Sequence, residues 1–241
     1  MKDAALIMAG GRSTRMRAGG SPSHKSLRTV GGLPLVEWNL RALLSFGFHD
    51  LYIAVPAEED VLACWLEGRG KGLAAAGGAS LQVLVEAQPL GTIGAAALLP
   101  PRVDAVVVVN VDNLSLLDLR ARLEFHRRER PAATVAMHEQ PFPVPFGMLE
   151  VEGERGRAYR EKPRISVPIS SGTYVLGRAA RRRIRPGRAI DVPHLVEKLL
   201  GEGEVVAAFA HQSLWVDVND ENSLARAREL FAPVPTERSL P

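Results

Sequence analysis

Cys64 is the one cysteine among 241 residues, so the chain can close no internal disulfide and build no cysteine-based metal cluster, which suits a reducing compartment. Nowhere does it run to the roughly 18 consecutive apolar residues that a membrane-spanning helix requires. Met1 leads straight into a strand pattern with no cleavable signal, and a cytoplasmic protein is expected. The six histidines include no pair at metal-ligand spacing, and no G-x-S-x-G elbow supports serine-hydrolase chemistry. Both standard glycine-rich phosphate motifs, the Walker P-loop and the Rossmann G-x-G-x-x-G, are missing. So are internal repeats and long low-complexity linkers.

Charge is modest as well. A formal net charge of +3 is below what a dedicated nucleic-acid binder carries, and an anionic small substrate accounts for it; neither nucleic acid nor membrane is expected as a partner. The densest basic run, Arg178 to Arg188, has no interleaved aromatic residues and reads as a solvated helix end plus loop.

What the chain does have is 46% hydrophobic content, enough for a sizeable core, arranged as short Val/Ile-rich runs alternating with amphipathic segments. Strands are expected at Ala4 to Ala9, at DLYIAV, at SLQVLVEA and at AVVVVNVD (Ala105 to Asp112), the last fully buried and central. Helices are expected at LPLVEWNLRALLSFGF, stopping at Gly47, at the small-residue segment TIGAAALL and at LDLRARLEFHRRE. Gly68 to Gly78 reads as a Gly/Ala-rich loop. Past Pro131 strands follow one another through turns, an added β region on the same sheet, before VPHLVEKLLG and ENSLARARELF close the chain as helices around two further strands. The fold class is therefore α/β, a Rossmann-like, mixed but mostly parallel sheet flanked by helices. One catalytic domain over 1–231 with a frayed tail at 232–241 is the simplest division.

Parallel sheets bind ligands beyond the carboxyl ends of their strands, which draws attention to MAGGRSTRM after the first strand. A glycine-rich turn exposes backbone N–H groups that can cradle phosphate, although a plain strand-to-helix connection fits the same residues. Asn110 and Asp112 end the central strand. Asp112 and Asp217 could each be only a helix cap, or the two could share a hard cation such as Mg²⁺. Glu161-Lys162-Pro163 reads either as a surface turn or as a phosphate-binding charge beside an acceptor for sugar hydroxyls.

The order of these pieces resembles the sugar-1-phosphate nucleotidyltransferases, the pyrophosphorylases that make nucleotide sugars. Gly10-Gly11-Arg12-Ser13-Thr14-Arg15-Met16, then Lys25, is similar to the family's G-G-x-G-T-R-[ML] and the lysine ten residues after its arginine. EAQPLGTIGAA, VVNVDN, FGMLEVEGERGRAYREKP, SSGTYVL and LWVDVND are similar to further motifs in the same order. The chain departs from the pattern at His24, Val111, Ser170 and Asn219, which leaves phosphate handling intact and makes the contacts to the glycosyl part unusual. His24 reads either as local packing in the proline's place or as a contact to phosphate.

The resemblance implies the nucleotide-diphospho-sugar transferase fold and an enzyme of EC 2.7.7 type. It would transfer a nucleoside monophosphate from an NTP to a sugar or sugar-like (cyclitol) 1-phosphate, releasing pyrophosphate by Mg-assisted in-line attack on the α-phosphate. It implies that Arg15, Lys25 and Asp112 are catalytic, that Ala9, Gly10, Gly11, Thr14, Gln88, Gly91 and Thr92 bind the nucleotide, and that Gly147, Glu161, Lys162 and Gly172 bind the sugar phosphate. Asp112 and Asp217 would hold Mg²⁺. PLGTIGAA is closer to the guanylyl branch, the mannose and heptose 1-phosphate enzymes, and so favours GTP. Uridylyl or thymidylyl transfer is the alternative within the family, and a non-catalytic nucleotide-sugar sensor or scaffold subunit the alternative outside enzymes. The molybdenum-cofactor nucleotidyltransferases share the glycine-rich start but lack the Glu-Lys-Pro and tryptophan-aspartate segments. With no β-helix repeats after Phe231, a homo-oligomer would have to form through the catalytic domain.

Overall fold

The structure, a computed structural model, describes residues 2–10 and 24–231. Among these residues the strands, in chain order, are β1 (Lys2–Met8), β2 (Thr29–Val30), β3 (Leu33–Pro34), β4 (Asp50–Pro56), β5 (Ser80–Glu86), β6 (Val103–Asn110), β7 (Asn113–Ser115), β8 (Ala133–Pro143), β9 (Met148–Glu152), β10 (Arg155–Arg160), β11 (Arg164–Leu176), β12 (Val206–His211) and β13 (Trp215–Asp217). The α-helices are α1 (Leu35–Ser45), α2 (Asp60–Trp65), α3 (Lys71–Ala76), α4 (Leu119–Glu129), α5 (Arg178–Arg181), α6 (Val192–Gly201) and α7 (Glu221–Leu230).

Seven strands form the main sheet in the order β12-β8-β11-β6-β1-β4-β5. Only β11 runs against its neighbours. The middle of the sheet is β6, whose run Val106 to Val109 is buried on both faces, as expected of a parallel strand covered by helices on each side. Alternation along β1 then divides the core. Ala5, Ile7 and Ala9 pack with Val36, Leu40 and Leu43 of α1 and Leu119 and Leu123 of α4. On the opposite face Ala4, Leu6 and Met8 pack with Ile93 to Ala96, Ile184 and Leu195 and Leu199 of α6. A third cluster, Val30, Leu35, Leu114, Val216, Leu224 and Phe231, seats α7 and the β7–β13 ribbon on one end of α1.

Several sequence expectations are corrected. Gly68 to Gly78 is not an irregular loop: α2 runs through a π-helical turn (Leu66–Gly70) into α3. A Cβ at Gly70 would press on Leu66, Leu81 and Trp65, so its bareness lets this segment dock, and tertiary packing overrides glycine's poor helix propensity. TIGAAALL gives only a 3-10 segment, Gly94–Leu98. The first strand lies at Lys2–Met8 rather than Ala4 to Ala9. The basic run is not simply solvated either. Arg181 is half-buried and donates to the Leu99, Pro100 and Val103 carbonyls, while Arg183 reaches Glu202 and Glu204 and Arg178 reaches Asp104. These arginines fasten α5 to the sheet.

Candidate active site

The carboxyl ends of β1, β5 and β6 open onto a cleft of about 280 Å³. Its walls come from Ala9 and Gly10 after β1, His24 and Lys25, Gly91 and Thr92 after β5, and Asn110 to Asp112 after β6. Backbone bonding fixes these ends against each other: Val111 N–H donates to the Met8 carbonyl at 3.0 Å, and Ala9 N–H to the Ala54 carbonyl at 2.9 Å. Asn39 of α1 clamps the turn from beneath, its amide donating to the Val111 carbonyl at 3.0 Å.

Lys25 opens a 3-10 turn (Lys25–Leu27) that buried His24 caps, its Nδ1 accepting from Ser26 N–H at 3.2 Å. That bond engages Nδ1 in local packing, and His24 also lines the cleft. Lys25 Nζ lies between two strands' worth of polar groups, paired with Asp112 and donating to Asn219 Oδ1 at 2.9 Å. Asn219 Nδ2 in turn donates to Asp217. The β7–β13 ribbon brings these groups together, since it sets Asp217 opposite Asn113 and ties Val218 N–H to the Asp112 carbonyl at 2.9 Å. Burial and then the neighbouring Asp112 carboxylate push Asp217 up to about 6, against the pull of Lys25 and Asn219. Asp112 and Asp217 are thus close enough to repel, a strain that a divalent cation would relieve. No group of three or more His, Cys, Asp or Glu side chains gathers among the described residues, so any such ion would complete its shell with phosphate and water oxygens.

Asn219 was visible in the sequence only as a departure from a motif; in the structure it links the lysine to the aspartate pair. Glu86 was missed altogether. It ends β5 with 4% of its surface exposed and accepts from the Leu90 backbone N–H, while Oε1 has no hydrogen-bond partner. Burial pushes its carboxyl up. Gly10 lies against it so closely that a Cβ there would overlap the carboxylate. A carboxylate at a strand end beside a glycine-rich turn was the available signal.

The other named residues separate into three groups. Gly91 takes φ +77°, where a Cβ would overlap the Ile190 carbonyl, and Thr92 caps the start of α6: its N–H donates to Asp191 at 2.8 Å and its Oγ1 accepts from Val192 N–H at 3.0 Å. Gln88 points elsewhere, its exposed amide donating to the Gly187 carbonyl at 2.6 Å. Gly172, at φ +68°, abuts Asn113 and Asn110, which leaves no room for a side chain. Gly147, Glu161 and Lys162 lie apart from the cleft walls, on and beside the β9–β10 hairpin. There Tyr159 Oη crosses Gly147 and donates to Glu161 Oε2 at 3.2 Å. Lys162 holds a left-handed backbone, φ +45°, a conformation that costs energy outside glycine and concentrates at functional sites. Gly11, Thr14 and Arg15 lie outside the described residues, as does the 232–241 tail.

Beneath Ser170 to Gly172 sits a polar stack. His211 Nε2 meets Ser171 Oγ at 2.9 Å, Trp215 Nε1 donates to the Ser171 carbonyl at 2.9 Å, and the His138 ring packs on both His211 and Trp215. Arg122, wholly buried, faces this stack with none of its three side-chain nitrogens hydrogen-bonded. Desolvation lowers it to about 9. Burial, then Arg122 and His138, lowers His211 to about 4.

Comparison with known proteins finds relatives over most of the chain. Mannose-1-phosphate guanylyltransferase of Mycobacterium tuberculosis is 28% identical over 229 residues, covering 92% of this chain and 62% of that protein. The catalytic subunit beta of the Danio rerio mannose-1-phosphate guanylyltransferase is 27% identical over 222 residues, covering 89% of this chain and 60% of the relative. The chain therefore spans about three fifths of these relatives' length. Among solved structures, HddC from Yersinia pseudotuberculosis complexed with GMP-PN has the same fold, with a TM-score of 0.71 at 20% identity over 96% of this chain and all of that one. The family profile described as nucleotidyl transferase matches residues 4–232, and the chain belongs to the nucleotidyl transferase family.

Proposed function

We propose that this protein transfers GMP from GTP to a sugar or cyclitol 1-phosphate, giving a GDP-sugar and pyrophosphate. The observation that carries the reading is the Lys25–Asp112–Asn219–Asp217 constellation at the mouth of the cleft. An oxygen of the 1-phosphate attacks the α-phosphorus in line, and pyrophosphate leaves with the P–O bond electrons. No protein nucleophile is needed, so the protein contributes alignment and charge. Lys25 donates to an α-phosphate oxygen, and Asn219 keeps its ammonium aimed. Gly10 brings backbone close to the triphosphate. Lys162 holds the acceptor's phosphate, and Glu161 accepts from a ring hydroxyl. Asp112 and Asp217 would hold Mg²⁺, which supplies neutralisation of phosphate charge when bound. Arg15, Gly11 and Thr14 belong to this reading through the motif they occupy.

We assign Glu86, buried against the cleft residue Gly10, to recognition of the base. A carboxylate only accepts hydrogen bonds, and guanine presents two adjacent donors, N1–H and the N2 amino group, that match it. Uracil and thymine present one N–H between two carbonyls, which suits an amide better. Two named relatives that are guanylyltransferases and a bound GMP-PN in the HddC structure point the same way. Pyrophosphate release with Mg²⁺, using GTP, UTP, dTTP, CTP and ATP against hexose, heptose and cyclitol 1-phosphates, tests the reading. GTP with one acceptor is the expected result; turnover with UTP or dTTP alone would reject the guanylyl assignment. A folded protein that binds nucleotide and releases nothing would favour a sensor. In Glu86→Gln, the ratio of kcat/KM for GTP over UTP should fall by roughly 10- to 100-fold, the effect of losing a hydrogen bond to a charged group.

A further inference from the structure

We propose that Asp191 is a positioning residue for the nucleotide: by exchanging caps with Thr92 it clamps the loop after β5 to the start of α6, and so sets nucleotide affinity without lining the cleft. The proposal rests on the reading that Gly91 and Thr92, which wall the cleft, face the nucleotide.

The loop cannot hold its own shape. Residues 87–93 leave β5 and reach the 3-10 segment at Gly94 with no strand partner, and backbone groups without a ladder must bond elsewhere. They bond to residues 187–192. Ile190 N–H donates to the Leu90 carbonyl at 3.0 Å, Ile93 N–H to the Ile190 carbonyl at 3.3 Å, and the Gln88 side-chain amide to the Gly187 carbonyl at 2.6 Å. Two glycines let the segments touch. A Cβ on Gly91 would stand 2.5 Å from the Ile190 carbonyl oxygen, and one on Gly94 would stand 3.2 Å from that of Arg188.

Two further bonds depend on side chains at the helix start. Asp191 is the N-cap of α6, where an aspartate ordinarily accepts from the second or third N–H of its own helix. Here it makes no such bond. Pro193 fills the second position and has no N–H to offer, and the carboxylate turns to the loop instead, accepting from Thr92 N–H at 2.8 Å. Thr92 returns the bond, since its Oγ1 accepts from Val192 N–H at 3.0 Å and satisfies the helix start. The caps are thus exchanged between a segment at the cleft and a helix whose Leu195 and Leu199 are locked in the core. An N–H bound to a carboxylate makes one of the stronger hydrogen bonds, and a loop ordered before its ligand arrives spares the binding step that cost. Asp191 therefore acts on the nucleotide through Thr92.

The test uses the full chain with Asp191→Ala and Asp191→Asn. Asp191 is exposed, so its truncation opens no cavity, and circular dichroism melts verify folding. Calorimetric titration of GTP with Mg²⁺ and no acceptor should show Kd raised roughly 3- to 10-fold in Asp191→Ala, the effect of losing one such hydrogen bond. The asparagine, whose amide oxygen accepts the same bond, should return Kd to within about twofold of the native value. Steady-state kinetics should place the rise in the KM for GTP and leave kcat and the acceptor KM near native, a split that a general weakening of the fold would not produce. Hydrogen exchange across 87–94 in the free protein should quicken in Asp191→Ala alone. An unchanged Kd in the folded alanine variant, a loss that asparagine does not restore, or an equal rise in both KM values overturns the proposal. A native chain that binds no GTP overturns the functional reading along with it, a failure that the native control shows without any variant.

Discussion

Replacing Asp217 by asparagine should make the protein more stable and, on the proposed function, abolish the binding of a divalent ion. The aspartate is held beside Asp112 and largely desolvated, which raises its pKa from 3.8 to about 6. At about 1.4 kcal/mol per tenfold change, ionised Asp217 costs the fold at most about 3 kcal/mol. The pH dependence follows from linkage. Below 3.8 the group is protonated in both folded and unfolded chains and there is no penalty. Between 3.8 and 6 the folded state holds more protons, so stability from this group falls as pH rises, and above 6 the full penalty applies. The asparagine keeps the shape, and Asn219 can still donate to its side-chain carbonyl. Urea unfolding at about pH 7.5 should therefore show the variant more stable by up to ~3 kcal/mol, about 2–4 °C in Tm for each kcal/mol in a chain of this size. The advantage should vanish near pH 4. Added Mg²⁺ should stabilise only the native protein, while the variant loses turnover. An advantage of equal size at both pH values, or none at the higher one, would refute the reasoning, because the gain would then have no connection with the carboxyl's charge.

Three further outcomes are expected. Arg122→Met removes a buried charge without hydrogen-bond partners and should raise stability by about 1–4 kcal/mol in urea melts; destabilisation would show that Arg122 has a compensating partner. His211, lowered from 6.5 to about 4, contributes stability above pH 6.5 that is lost as pH falls toward 4, so His211→Gln should flatten that limb of a pH–stability curve while the amide keeps a bond to Ser171. Gly172→Ala forces an L residue into φ +68° and onto the Asn113 side chain, which should cost roughly 1–3 kcal/mol and raise the acceptor KM more than that of the nucleotide.

Most of the frame was readable because its signals are local. β6 is a run of valines, α1 stops before a glycine at φ +73°, and the ends of β1 and β6 meet where parallel sheets put their ligands. What escaped depends on distant contacts. The helical path from Leu66 to Ala76 forms because Gly70 fits against Leu66, Leu81 and Trp65, which propensity cannot report. Arg181 and Arg183 look like a solvated patch until the carbonyls after Leu98 and the glutamates after α6 arrive beside them. Glu86 looked like an ordinary strand residue until Gly10 closed over it, and Asn219 like a lapse in a motif until Lys25 crossed 194 residues to reach it. Gly10, Gly91, Lys25 and Asp112 do converge, whereas Gly147, Glu161 and Lys162 belong to a separate arm.

That separation has a use. β11 returns antiparallel to β8, so everything from 144 to 163 is the tip of one long hairpin whose stem is anchored in the sheet, while the cleft is built on β1, β5 and β6. Altering the length of such a tip costs only about 0.6 kcal/mol of closure entropy for each doubling, and the stem register from Ala133 to Gln140 is untouched. If the proposed function holds, acceptor preference becomes a graftable cassette: exchanging this tip between relatives should transplant the choice of sugar phosphate while leaving the choice of base where it was.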